Sequence, residues 1–268
     1  MLVFVIVVLV IALAFLFSFM GRRNAPGLER LRGWSYAHRG LHKEGVPENS
    51  MAAFRNALEH GYGIELDVHL MKDGRLAVIH DASLLRTAGV DVNIEELTVE
   101  DLENYRLENT QEKIPLLEDV LELFLGKAPL IVELKPVNNC AALCEAVCKL
   151  LDQYNGAFCV ESFDPRCIIW LKKNRPNYIR GQLSENFLVN SKSKLALPLK
   201  CIMTWNLGNF LSKPDFIAYK FADRQNITVK LCRSLWRLQG VTWTLRTIDE
   251  YNCAVKEGWI PIFENFEP

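Results

Sequence analysis

The sequence predicts a (β/α)8 barrel preceded by a single N-terminal membrane helix, and three observations lead there. Between Gly33 and the C-terminus, eight strand-like apolar runs alternate with helical patterns. That stretch, about 236 residues, is the usual size of such a barrel. The first twenty residues have a different character: Leu2 to Met20 holds no charged side chain, and only Ser18 is polar. The expected organisation is therefore an anchor at 1–22, a linker at 23–33 and a barrel domain at 34–268.

In chain order, the apolar run comes first. A helix of about 19 residues is about 28 Å long, enough to cross a bilayer. Arg22 and Arg23 follow it and no basic residue precedes it, so the positive-inside tendency places the barrel on the cytoplasmic side. A secretory signal would need a basic start, a shorter apolar core and a small-residue cleavage site, which Phe17-Ser18-Phe19-Met20 does not supply. A buried soluble helix does not suit so uniform a run. Asn24 to Arg32, with Pro26 and Gly27, reads as a short polar linker.

The eight expected strands are Trp34–His38, Gly63–Val68, Leu130–Leu134, Phe158–Glu161, Ile179–Leu183, Asp215–Tyr219, Val241–Leu245 and Ile260–Phe263. Helical patterns occupy Ser50–His60, Leu116–Leu125, Asn139–Tyr154, Pro165–Asn174 and Ile248–Glu257, with an N-cap at Asn49-Ser50 and a stop at Gly61. Lys72-Asp73-Gly74-Arg75 is a hairpin turn leading into Leu76–His80. The longer, more polar segment Leu84–Lys113 is expected to cap one end of the barrel. A doubly wound open sheet is the structural alternative, but no GxGxxG follows the first strand.

With 268 residues and half of them hydrophobic, the chain can build one sizeable core. A net charge of −1 and no long basic run argue against nucleic acid as a partner. The eight cysteines show no CxxC spacing. Cys140, Cys144 and Cys148 share one helical face and read as small core residues rather than a zinc site, in keeping with a reducing compartment.

The chemistry is concentrated near the N-terminal third of the barrel. Alternation in Gly63-Ile64-Glu65-Leu66-Asp67-Val68 puts Glu65 and Asp67 on one face of a strand. Two acids held together repel unless a cation lies between them, and a hard divalent metal is the usual one. Barrel chemistry gathers at the C-terminal ends of strands, where His38, Glu133 and Lys135 are also expected. Glu65, Asp67 and Glu133 suit Mg²⁺ or Ca²⁺ rather than zinc. Arg39 and Lys135 suit phosphate oxygens, and His38 with His80 suits general acid–base work near neutral pH. Together these groups describe metal-assisted phosphodiester cleavage.

Ala37-His38-Arg39-Gly40, Pro47-Glu48-Asn49-Ser50, Ile64-Glu65-Leu66-Asp67-Val68, Lys72-Asp73-Gly74 and His80-Asp81 follow one another in order. With Val132-Glu133-Leu134-Lys135, Ser162-Phe163-Asp164 and Thr242-Trp243-Thr244, they resemble the glycerophosphodiester phosphodiesterase family over about residues 34–266. The resemblance implies a (β/α)8 barrel that hydrolyses glycerophosphodiesters to sn-glycerol 3-phosphate and an alcohol. It implies His38 and His80 as the acid/base pair, Glu65, Asp67 and Glu133 as ligands of one divalent metal, and Arg39 and Lys135 on the phosphate. It further implies Glu48 as a supporting acid and Trp243 as an apolar wall. In the family's mechanism a glycerol hydroxyl attacks phosphorus to give a cyclic phosphate, which water opens.

Some positions depart from that pattern: Met71 stands where Thr is common, and Glu264-Asn265 replaces Thr-Asp after the last strand. The alternatives are a lysophospholipase D acting on membrane lysolipids and a non-catalytic barrel that binds phosphorylated headgroups. The oligomeric state is not written in the sequence.

Overall fold

A computed structural model describes residues 1–23, 25–136 and 139–268. Asn24, part of the expected linker, lies outside the described residues. Among the described residues, nine strands form one sheet: β1 (Tyr36–His38), β2 (Gly63–Leu70), β3 (Leu76–Val78), β4 (Leu130–Leu134), β5 (Phe158–Ser162), β6 (Arg180–Ser184), β7 (Phe216–Lys220), β8 (Gln239–Leu245) and β9 (Trp259–Phe263). Eight are parallel, and pairing of β1 with both β9 and β2 closes them into a barrel. β3 is the hairpin partner expected after Gly74 and runs antiparallel on β2.

The helices in chain order are α1 (Leu2–Ser18), α2 (Met51–Glu59), α3 (Leu85–Ala88), α4 (Val99–Leu102), α5 (Leu117–Phe124) and α6 (Cys140–Leu151). They continue with α7 (Pro165–Asn174), α8 (Leu197–Thr204), α9 (Asn209–Ser212), α10 (Ile227–Ser234) and α11 (Ile248–Lys256). The five helical patterns read from sequence all form, whereas α8, α9 and α10 arise in segments where no helix was expected. Ser50 caps α2 by accepting from the Ala53 amide, and Asp164 caps α7 ahead of Pro165.

Burial divides the core into layers. The outward side chains of β2, namely Ile64, Leu66 and Val68, pack with Phe54, Val120, Leu143 and Cys144 in the main layer between strands and helices. Cys144 and Cys148 are buried there as small core residues, and Cys140 lies against Cys167 of α7. The expected cap over Leu84–Lys113 carries its own small core, with Leu84, Ile94, Leu97 and Leu102 packed on Ile79 and Met71.

The N-terminal end of the barrel is closed by the segment expected to be a polar linker. Ala25, Leu28 and Leu31 are buried among Tyr36, Ile131, Cys159 and Phe216. Gly181 is needed here, since a Cβ would sit 2.0 Å from the Phe216 ring that fills this end.

The membrane-crossing expectation is corrected at the same place. α1 has 17 residues, about 25 Å at 1.5 Å each, against an apolar bilayer layer of about 30 Å. Among the described residues no helix is long and apolar enough to cross a membrane. The helix stops at Ser18 because Phe19 turns into the barrel core, fully buried. Trp236 Nε1 donates to the Leu16 carbonyl at 3.0 Å. Nor is the pair of arginines a free flanking charge. Arg22 grips Asp215, just before β7, through Nε at 2.5 Å and Nη2 at 2.8 Å. Arg23 Nη2 donates to the Leu235 carbonyl at 3.0 Å, with its guanidinium 5.6 Å from the Trp236 ring centre.

Candidate active site

Strand register builds the acidic floor. His38 lies opposite Glu65 across β1 and β2. Asp67, Glu133 and Glu161 stand in one row across β2, β4 and β5. All four carboxylates point into the barrel and are buried. Their apolar neighbours Ile64, Leu66 and Val68 take the opposite face, as period-two geometry requires.

The turn after β1 brings Arg39 over this row. Arg39 has φ 56°, a left-handed conformation that is costly for an arginine. Gly40 follows at φ 81° and packs so tightly on α2 that a Cβ would lie 2.9 Å from that of Ala53. The bend aims the Arg39 amide at Glu65 Oε2 (3.2 Å), Nη1 at Glu48 Oε1 (2.9 Å) and Nε toward Asp67 Oδ2 (3.4 Å). Asn49 also donates to Asp67 Oδ2, at 2.9 Å.

Lys135 Nζ lies between two carboxylates, 3.0 Å from Asp67 Oδ1 and 2.7 Å from Glu133 Oε1. These are ion-pair contacts without hydrogen-bond alignment, for both oxygens, like Glu161 Oε2, are buried without a hydrogen-bond partner. Oxygens of Glu65, Asp67 and Glu133 converge within 4.8 Å. Convergent, under-satisfied hard donors fit a divalent cation, and the Lys135 ammonium stands in for part of that charge.

The protonation states follow from this crowding. Burial, and then Asp67 and Glu133, push Glu65 well above the ordinary carboxylate range. Glu133 is raised to about 7, chiefly by burial, and burial with Glu133 raises Glu161. Burial also works against the Asp67 anion, but Lys135 and the nearby histidines and Arg39 outweigh it and hold Asp67 low. Burial lowers Lys135 in the same way, and Asp67 with Glu133 overrides it to keep the ammonium charged. Asp67 is thus the carboxylate that stays ionised against the two cations.

Each histidine is oriented by a carboxylate. His38 Nδ1 lies 2.8 Å from Glu264 Oε1, leaving Nε2 in the pocket 3.8 Å from Glu65. Arg246 Nη2 holds the other Glu264 oxygen at 2.7 Å. His80 Nδ1 lies 2.6 Å from Asp81 Oδ1, and Arg86 Nε holds Asp81 Oδ2 at 2.5 Å. Arg86 also forks onto Glu48, at 2.6 and 3.0 Å. A continuous chain of contacts thus joins His80 to Asp67 through Asp81, Arg86, Glu48 and Arg39. Burial lowers both histidines, His80 to about 4, so both imidazoles are neutral at pH 7.

The pocket of about 150 Å³ above the acids is lined by His38, Arg39, Glu65, His80, Glu133 and Lys135, with Trp243 and Phe163 as its apolar walls. Every residue expected to line the site is there, except that Asp67 lies in its floor and Glu48 behind Arg39. Sequence reasoning missed the orienting groups. Glu264 was visible only as a departure from a family pattern, and its contact with His38 spans 226 residues. Asp81 adjoins His80 in a motif that had been noticed, while Glu161 extends the alternation of β5. Arg86 carries no local signal.

Residues 38–266 match the model of the glycerophosphoryl diester phosphodiesterase family. A glycerophosphodiester phosphodiesterase of Bacillus altitudinis is 43% identical over 111 residues, which is 39% of this chain and 45% of that protein. A Rattus norvegicus protein named lysophospholipase D GDPD1 is 37% identical over 131 residues, 44% of this chain and 40% of that one. The chain thus spans less than half the length of these two relatives. In three dimensions it is similar to an Oleispira antarctica phosphodiesterase solved with the product sn-glycerol-3-phosphate. The TM-score is 0.72 at 21% identity, covering 86% of this chain and 92% of that one, a likeness of fold.

Proposed function

This chain belongs to the glycerophosphoryl diester phosphodiesterase family, and on that premise we propose that it hydrolyses glycerophosphodiesters to sn-glycerol 3-phosphate and an alcohol. The observation that carries the reading is one small pocket. It joins two neutral, carboxylate-oriented histidines to an acidic floor and two cations. Arg39 with its planar fork and Lys135 as a point charge bind phosphate oxygens. Glu264 and Asp81 each accept the Nδ1–H of a histidine, which leaves an Nε2 lone pair facing the substrate. One imidazole takes the proton of the attacking hydroxyl and the other returns a proton to the departing alkoxide. Glu48 keeps Arg39 and Arg86 in register, and Trp243 shields the glycerol side from water.

Glu65, Asp67 and Glu133 are the residues that would hold the divalent ion, Mg²⁺ or Ca²⁺. Bound there, the ion would neutralise the diester's negative charge and polarise its phosphorus–oxygen bonds.

Membrane association belongs to the same proposal. The exposed apolar side chains of α1 support it, and a helix of this length reaches into the apolar layer rather than through it. Fractionated cells expressing the chain, assayed for glycerol 3-phosphate release from glycerophosphocholine with and without chelator, test both claims. Chelator-sensitive activity in the membrane fraction is expected. Chelator-insensitive release removes the metal, and activity confined to the soluble fraction removes the membrane.

A further inference from the structure

Among the described residues a second set of ligating atoms converges, away from the catalytic pocket. The sulfurs of Cys140, Cys144 and Cys167 lie within 4.8 Å of one another, in the layer between strands and helices. Cys140 opens α6 and Cys167 lies in the first turn of α7, the helices that follow the strands carrying Glu133 and Glu161. Cys140 Sγ is 3.9 Å from Cys144 Sγ but only 2.7 Å from Cys167 Sγ.

That shorter distance decides what the cluster is for. Unbonded atoms even as small as carbon rest at about 3.5–4.0 Å. The Cys140–Cys167 separation lies inside that contact and is about 0.7 Å longer than a sulfur–sulfur bond of about 2.05 Å. A metal spaces its thiolates more widely, since two zinc–sulfur bonds of about 2.3 Å at the tetrahedral angle hold the sulfurs about 3.8 Å apart. The Cys140–Cys144 pair meets that spacing and the Cys140–Cys167 pair does not.

Reactivity is placed on the accessible member. Cys140 is half-buried, whereas Cys144 and Cys167 are fully buried, so Cys140 is the sulfur of the three that an oxidant meets. Hydrogen bonds from Cys144 and Cys167 pull its thiol down to about 4, which makes it a thiolate at neutral pH. We propose that Cys140 and Cys167 form a redox-closed pair, joined by an oxidant of the disulfide class into a bond that staples α6 to α7. In the first step the Cys140 thiolate attacks one sulfur of glutathione disulfide, whose sulfur–sulfur bond breaks to release a glutathione thiolate. Cys167 then gives its proton to that thiolate, and its sulfur attacks Cys140 and expels the second glutathione as its thiolate. Two protein thiols are oxidised and one glutathione disulfide is reduced.

The staple holds the active-site rim and does not remodel it. Ser162 Oγ already ties the two strand ends, donating to the Leu134 carbonyl at 2.7 Å and accepting the Asp164 amide at 3.1 Å. The acidic floor is in place while the sulfurs stand 2.7 Å apart. Closing a loop that spans 27 residues restricts the unfolded chain, so the bond resists unfolding and leaves turnover unchanged.

The test equilibrates the full chain in glutathione buffers stepped from reducing to oxidising, blocks the remaining thiols in denaturant and maps the peptides by mass. Expected is a linked Cys140–Cys167 peptide, with blockable thiols falling by two from eight. It should form in the parent and in Cys144→Ala, and be absent from Cys140→Ser and Cys167→Ala. Oxidation should raise the urea midpoint of the parent by about 1 M, with kcat for glycerophosphocholine unchanged. Half-buried Cys140→Ser should show no shift. Single glutathione adducts on Cys140, Cys201 and Cys253 without a linked peptide overturn the pairing. So does Zn²⁺ or Cu⁺ that purifies with the parent in equal amount and is lost from all three variants. A kcat that falls on oxidation of the parent, but not of Cys140→Ser, overturns the staple and makes the bond inhibitory.

Discussion

The two ends of this barrel are built on opposite principles. At the C-terminal end, Glu65, Asp67, Glu133 and Glu161 are crowded into a buried row, Arg39 is held in a left-handed conformation, and several oxygens lack a hydrogen bond. At the N-terminal end, Leu28, Leu31, Tyr36 and Phe216 fill the interior, and the buried charge of Asp215 is gripped by Arg22 and accepts the Arg180 amide at 2.9 Å. The same strands supply both, separated by a few residues. Strain and unmet charge are concentrated where substrate is handled, and satisfied packing where the fold is held together.

The sharpest way to break the comparison is to substitute each end and ask which property fails. His38→Ala and His80→Ala should each lower kcat for glycerophosphocholine by about 10²–10⁴-fold while the urea midpoint stays close to the parent. A variant with full activity would remove that histidine from the chemistry. At the other end the pattern should invert. Arg22→Ala leaves Asp215 buried without its cation and should cost about 3–5 kcal/mol in urea unfolding, with activity per folded molecule retained. Leu28→Ala should cost about 2–4 kcal/mol in the same measurement. A large loss of kcat in folded Arg22→Ala would show that the ends are coupled.

The smallest effect sharpens the electrostatic half. His80 titrates near 4 in the folded chain, mainly through burial, and near 6.5 when unfolded. On acidification the unfolded state binds its proton first, so stability falls as pH drops from about 6.5 to about 4. Solvent screening at a side chain 32% exposed brings this to about 1–2 kcal/mol. Urea titrations of the chelated protein across that window should show the slope, and His80→Gln should flatten it. An unchanged slope in that variant would assign the pH dependence to another group.

Much of this was legible in the sequence because local alternation carries it. The acids of β2, the histidine closing β1 and the Glu133–Lys135 pair needed only a strand and a barrel to be placed together. The groups that orient the histidines were not legible, since Glu264 reaches His38 only by closure of β9 on β1. The helices α8, α9 and α10 escaped notice because they are short and leave Leu197, Phe210 and Ile227 exposed. Hydropathy also overran the end of α1, since a run of apolar residues does not reveal that Phe19 belongs to the barrel.

The grip of Arg22 on Asp215 fixes more than stability. It joins α1 to the barrel beside the starts of β6 and β7, at the end opposite the catalytic mouth. Under the membrane proposal made above, the catalytic mouth opens away from the point where α1 joins the barrel, and substrate would reach His38 and His80 through water or from a facing membrane.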